Sequence, residues 1–252
     1  MLNLSGYADS RPVRLGNAAI KQLQLDVYGE VVEAVAHFTG ENEKPDRDMQ
    51  IMLRQFGEYV CEHWQEPDNG IWEERGPRRR YTHSLLMCWV ALDRLLEMHT
   101  RGQLPGIAVK KFEAERQRIR EEIETFAWNS KVTAYTQACG SEVMDATALL
   151  LTYHRFAEAS SQRMLQTHQR IRERLVPRRG LVHRNEQSKD RQEGAFAACS
   201  FWEVNFLARS GNLSEARETF EAVLAYANDL GLFAEEIDPL TGDARGNFPQ
   251  GL

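Results

Sequence analysis

The 252-residue chain predicts an all-α fold, assembled from helical hairpins in two concentric layers. Three observations point there. Apolar residues recur every three to four positions almost throughout, and alternating runs rich in β-branched residues are nearly absent. Helical stretches that are apolar nearly all round alternate along the chain with stretches that carry a single apolar stripe. A buried helix followed by a half-exposed one, repeated, describes a toroid in which one member of each pair lines the centre.

Eight helices are expected, at about 17–39, 46–65, 82–100, 106–127, 144–155, 161–176, 193–209 and 213–230. The first has Asn17 as its N-terminal cap and Gly40 as its stop. The second ends before the polar run at Pro67. Thr82 opens the third, whose HSLLMCWVALDRLL is apolar on every side, as a buried helix must be. The fourth, VKKFEAERQRIREEIETF, keeps one apolar stripe among charges and suits a helix with a face in water. MDATALLLTYH repeats the buried pattern in the fifth, and SSQRMLQTHQRIRERL the striped one in the sixth. GAFAACSFWEVNFLA makes the seventh apolar again. LSEARETFEAVLAYA gives a striped eighth, with Ser214 as its start signal and Gly211 and Gly231 as stops on either side.

Links after odd-numbered helices are short, whereas those before them are long and polar. In an up-and-down arrangement the stretches 1–16, 66–81, 128–143, 177–192 and 231–252 then gather on one rim. A rigid ring with its long loops together is where binding chemistry belongs.

Composition removes several function classes. Net charge is −6, with 31 Lys and Arg dispersed among 37 acids, so there is no basic field to follow a phosphate backbone and nucleic acid is not an expected partner. The arginine runs at 75–80 and 170–179 stand among glutamates or turn signals and read as solvated faces. No run of 18 apolar residues occurs, and MLNLSGYADS lacks the basic-then-apolar pattern of a secretory leader, so the expectation is a cytoplasmic chain with no membrane span. Cys61, Cys88, Cys139 and Cys199 lie far apart without a CxxC, which gives no expected metal site. Cys88 and Cys199 fall in apolar helical runs, where a reduced cysteine behaves as a small hydrophobe. No GxSxG elbow or glycine-rich phosphate loop appears.

Two carboxylate pairs carry the chemistry. In PDNGIWEERGPRRR a turn signal leads to Trp72, Glu73 and Glu74. A carboxyl shielded by the Trp72 ring can hold a proton near neutrality, as a general acid requires. The same glutamates also read as a solvated pair in ion contact with Arg75 or Arg78. In GLFAEEIDPLTGD, Glu235 and Glu236 follow a helix stop and precede the turn Thr241-Gly242-Asp243. One protonated donor and one ionised base on a single rim are what glycosidic hydrolysis needs. Arg14, Asn17, Arg184 and Glu193 are candidates for gripping sugar hydroxyls. Trp89, Trp202 and His83 sit in helical runs and read as core or local hydrogen-bonding residues.

Taken together, SRPVRLGNAAIKQLQLDVYGEV, PDNGIWEERGPRRRYTHSLLMCWVALDR, EGAFAACSFW and NDLGLFAEEIDPLTGDARGNFPQ resemble glycoside hydrolase family 15, the glucoamylases and related bacterial trehalases. The likeness spans nearly the whole chain, with four motifs in the family's order. It implies an (α/α)6 double barrel, hydrolysis of terminal α-glucosidic bonds with inversion, and no cofactor. It implies Glu73 as the acid, Glu74 as a substrate contact beside Trp72, and Glu235 rather than Glu236 as the base. Arg184 matches the family's substrate-binding arginine ahead of the EG-F segment that Glu193 opens. Acid and base would lie roughly 6.5–9.5 Å apart, leaving room for a water. The substrate would be trehalose, maltose or a longer α-glucan, and the GIWE and AEEID forms look more like bacterial intracellular members than secreted fungal glucoamylases.

The family's barrel has twelve helices and eight are expected here. Its early W-x-R-D segment would lie before Met1, and GNFPQGL stops where a last barrel helix normally follows. Residues 1–252 therefore read as one partial catalytic domain, without an N-terminal β-sandwich or the first barrel helices. An open ring exposes apolar flanks, which a completing chain or a second copy would cover. The alternative function is a non-catalytic carbohydrate-binding or regulatory module, since such helical domains also resemble parts of phosphorylase kinase regulatory subunits.

Overall fold

The computed structural model describes residues 4–6, 9, 11–13, 16, 18–40 and 43–250. They fall into two compact units, one of Gln22–Glu142 and the other of Met1–Lys21 with Val143–Leu252.

In the unit Gln22–Glu142, helices α1 (Asp26–Thr39), α2 (Arg47–His63) and α4 (Val109–Glu122) pack against α3 (Thr82–Thr100). Every residue of α3 from Thr82 to Leu92 is buried, as its all-round apolar character requires. Each large apolar side chain so enclosed contributes about 1.5–3 kcal/mol over leaving it in water. Close approach rests on glycine. A methyl at Gly29 of α1 would stand 2.2 Å from the Met87 carbonyl oxygen, and one at Gly57 of α2 would stand 2.5 Å from the Phe112 ring. α4 buries Phe112 and Ile119 along one stripe, then widens into a π-helical turn at Ile123–Ala127. A two-stranded ribbon, β1 (Trp128–Asn129) with β2 (Ala134–Tyr135), follows.

The second unit holds a 3-10 turn (Ala18–Lys21), another at Ala146–Leu149 that runs into α5 (Leu150–Tyr153), then α6 (Gln162–Leu175), α7 (Glu186–Asp190), α8 (Ala197–Arg209) and α9 (Leu213–Leu224). Three short antiparallel strands are ordered β3 (Ala195–Phe196), β4 (Glu236–Ile237), β5 (Ala244–Arg245). Leu181, Ala195, Ala197 and Ile237 form a small core at this sheet, with Tyr226 and Phe233 packed against it.

Helix ends depart from expectation where a side chain or a distant strand captures the backbone. The first helix starts at Asp26, not Asn17, because Leu23 and Leu25 donate their amides to the side chains of Asn69 and Asp68. Arg14 and Asn17 lie outside the described residues. The fifth helix is shorter than 144–155: Asp145 is extended, pairs with Asn185, and takes the Thr147 amide and hydroxyl on Oδ1 at 2.9 and 2.7 Å. The seventh begins at Ala197, since Ala195 and Phe196 are strand. Thr82 is not a cap; its hydroxyl donates to the Thr136 carbonyl at 2.5 Å, and Tyr81 precedes the helix. At the last helix Asn212, not Ser214, accepts the first-turn amide. The helix stops at Leu224, and Gly231 follows after further turns.

Candidate functional site

The loop that carries Trp72, Glu73 and Glu74 is fastened from beneath. Asp68 is fully buried and exchanges two main-chain hydrogen bonds with Arg79, closing the loop on itself. Its Oδ2 accepts from the Ser84 hydroxyl at 2.7 Å and the Leu25 amide at 3.1 Å, tying the loop to α3 and to the start of α1. Burial pushes the Asp68 carboxyl above its ordinary range, against the pull of these donors. Asn69 pairs with Leu23 through its amide and through Oδ1. Gly70 has φ +67°, and a methyl there would meet the Tyr81 ring at 2.8 Å, so only glycine turns the chain here.

Glu73 itself lies in the left-handed region at φ +51°, a conformation that costs a non-glycine residue free energy. Its amide donates to Gly70 O at 3.2 Å and that of Glu74 to Asn69 O at 3.1 Å. Gln22 Nε2 donates to both the Glu73 and Glu74 carbonyls, at 3.1 and 3.2 Å, and Asn69 Nδ2 reaches the latter at 3.2 Å. The Glu73 side chain is exposed, with Trp72 and Glu74 half-buried. The loop also borders a cleft of about 690 Å³ lined by Trp64, Pro67, Arg78, Arg79 and Arg80 among others.

His83, the second residue of α3, is buried with Nδ1 3.8 Å from Asp26 Oδ2, beyond hydrogen-bond length. Burial and the neighbouring Asp68 raise Asp26 to about 6. Trp89 is core, with the Arg120 guanidinium 5.0 Å from its ring centre.

In the second unit, the three-stranded sheet gathers Arg184, Glu193, Glu235 and Glu236. Glu235 precedes β4; its amide donates to Asn247 O at 2.9 Å and its carbonyl accepts from Ala197 at 3.1 Å. Its Oε2 accepts twice from Asn247, from the amide at 3.0 Å and from Nδ2 at 2.8 Å. Gly246, at φ +72°, lies between: a methyl there would sit 2.9 Å from that same oxygen. One carboxylate oxygen is thus held by two donors. The Asp238 carboxylate locks the following hairpin, taking the amides of Leu240 and Thr241 at 2.7 and 3.2 Å and pairing with Arg245. Those amides hold its carboxyl below the usual range.

Glu236 Oε2 accepts the Gly194 amide at 2.9 Å, and burial pushes its carboxyl up. Arg184 pairs with Glu193 and lies over the Phe196 ring at 5.8 Å. Burial works against the Arg184 charge, but the Glu193 carboxylate more than offsets it. Trp202 is half-buried in α8. Among the described residues no group of three or more His, Cys, Asp or Glu is arranged to hold a metal ion, and no helix is long and apolar enough to cross a membrane.

The frames around the two glutamate pairs have no signature in the sequence. Gln22, Ser84, Gly194, Arg245 and Asn247 each act on a residue between 7 and 52 positions away, and no local pattern marks them. Asp68 and Asn69 are legible as turn formers but not as anchors.

These features stand beside clear relatives. The trehalase of Mycolicibacterium smegmatis is 39% identical over 257 residues, covering 98% of this chain and 37% of that protein. The trehalase of Thermoplasma volcanium is 33% identical, covering 100% of this chain and 41% of that protein. The chain thus spans about two fifths of the length of these relatives. Among solved structures, a wild-type glycosidase matches with TM-score 0.74 at 17% identity, over 85% of this chain and 57% of that one. A glycosidase in complex with glucose matches with TM-score 0.72 at 15% identity, over 86% and 57%. At such identities the likeness carries the fold, which is all-α with the helical-barrel character expected from the motifs. The profile of glycosyl hydrolases family 15 matches residues 1–213, which takes in the acidic loop and the Arg184–Glu193 pair, and the chain belongs to that family.

Proposed function

We propose that this chain carries the acid and the base of an inverting glycoside hydrolase acting on terminal α-glucosidic bonds, with trehalose as the substrate. Glu73 protonates the glycosidic oxygen as the bond breaks, and Glu235 takes a proton from the water that attacks the opposite face of the sugar. Trp72 and Glu74 flank the acid, and Arg184, Glu193, Arg14 and Asn17 bind sugar hydroxyls. The relatives named trehalase favour trehalose over maltose and longer glucans. Residues 1–252 act as one partial catalytic domain in this reading. A cytoplasmic location accords with four unpaired cysteines, two of them buried.

The observation that carries the proposal is the pairing of family membership with the way each carboxylate is held. Glu235 has one oxygen fixed by two donors, which leaves the other to meet a water. Glu73 stands on a loop built to keep its backbone in a costly conformation.

Glucose release from trehalose, maltose and soluble starch tests it, with Glu73→Gln and Glu235→Gln as matched variants. The expected result is release from trehalose in which α- and β-glucose first appear in equal amounts by proton NMR, the attacked unit inverted to β and the leaving unit still α. Either substitution lowers it at least about 100-fold, the usual scale of a general acid or base. Sugar binding by a folded chain that releases no glucose would favour the non-catalytic module instead.

A further inference from the structure

We propose that Gln22 is the positioning residue for the acid: its side-chain amide clamps the carbonyls of Glu73 and Glu74 and so keeps Glu73 in the left-handed conformation from which it acts. This rests on the reading of Glu73 as general acid. A glutamate at φ +51° persists only where its surroundings over-determine it. The main-chain bonds of Glu73 to Gly70 and of Glu74 to Asn69 close the turn, and Asn69 Nδ2 reaches the Glu74 carbonyl from within the loop at 3.2 Å, but among the described residues nothing in the loop's main chain meets the Glu73 carbonyl. Gln22 Nε2 meets both, at 3.1 and 3.2 Å, from a segment about fifty residues earlier.

That segment cannot easily shift. Leu23 is bonded to Asn69 and Leu25 to Asp68, so Gln22 projects from a short irregular stretch pinned on its C-terminal side to the loop it clamps. The same pinning delays the start of α1 to Asp26. One amide nitrogen bonded to both carbonyls holds the Glu73–Glu74 peptide plane through the Glu73 oxygen and the next plane through the Glu74 oxygen, and with them the direction in which the Glu73 Cα–Cβ bond leaves the backbone. Misplacing a catalytic group by about 1 Å costs on the order of 100-fold in rate.

The test uses Gln22→Ala, Gln22→Glu, which keeps the shape but presents oxygens to the carbonyls, and Gln22→Arg, which restores donors. Two readouts are needed. Hydrogen exchange of the peptide spanning 70–75 should speed up at least about tenfold in the Ala and Glu variants and return towards wild type with Arg, while α3 exchanges as before. Kinetically, the losses should follow the leaving group. Fluoride departs from α-glucosyl fluoride with little protonation, whereas the glucose of trehalose needs the acid. Gln22→Ala should therefore lose at least about 30-fold on trehalose and less than about threefold on the fluoride, with the loss in kcat rather than KM. Unchanged exchange at 70–75, or equal losses on both substrates, overturns the proposal. If wild type hydrolyses neither substrate, the assignment of Glu73 as an acid fails, and the exchange measurement alone decides whether Gln22 holds the loop.

Discussion

Asp26 is a carboxyl held where water cannot reach it, at 5% exposure, with Asp68 and Glu30 adding negative charge and His83 on its other side. Its folded value of about 6 lies above the unfolded 3.8. The folded state therefore binds the proton more tightly, so the contribution to stability is complete below pH 3.8 and is lost as pH rises to about 6. A difference of that size is worth about 3 kcal/mol at most. Asp26→Asn, which keeps the shape and removes the ionisation, should gain about 1–3 kcal/mol on wild type between pH 4 and pH 7 in urea unfolding. Parallel curves would mean that Asp26 stays ionised throughout. Nothing in the sequence marks this residue, because burial of Asp26 depends on Asp68 arriving from the next long loop. Glu73 and Glu235 stand out as candidates because each sits in a contiguous motif, although the groups that hold them, Gln22 and Asn247, come from elsewhere in the chain.

At the scale of the element, the helices are legible in the sequence and their ends are not. Periodicity reports which face is buried, and α3, α4, α6 and α9 keep the faces expected of them. Ends are decided by competition for the first and last amides, and here distant groups win it: Asn69 and Asp68 at α1, and strand pairing ahead of α8. α7 escapes a reading by periodicity because EQSKD has no apolar stripe and is held by the reciprocal bonds of Asn185 and Ser188. Glycine inside helices carries information that periodicity also passes over. Gly29 lets α1 lie against the α3 backbone at Met87, where even a methyl would come within 2.2 Å of a carbonyl oxygen that has no rotamer in which to retreat. Gly29→Ala gains helix propensity of about 1 kcal/mol. It should nonetheless destabilise the fold by about 2 kcal/mol or more, because two helices must separate to admit it. Thermal unfolding measures the balance, and a stabilised variant would mean that α1 and α3 can slide apart cheaply.

Over the whole molecule, the question is whether a chain two fifths as long as its relatives binds the sugar on its own. Catalysis and binding separate here, since binding needs the hydroxyl-gripping groups while turnover needs both carboxylates placed to within fractions of an ångström. Any ligand that prefers the folded state raises stability by RT ln(1 + [L]/Kd), which at ten times Kd is about 1.4 kcal/mol. For a chain of 252 residues that corresponds to a rise in Tm of roughly 3–5 °C. We expect trehalose to produce this shift in Glu73→Gln, where turnover cannot remove the ligand. We expect no shift with Arg184→Ala added, because the Glu193 carboxylate then keeps only the more distant Arg191, at 3.8 Å, and the sugar loses a donor. A wild-type chain with neither a trehalose shift nor glucose release would place the sugar-binding groups in the parts of its relatives that this chain does not match. A shift without release would place only the chemistry there.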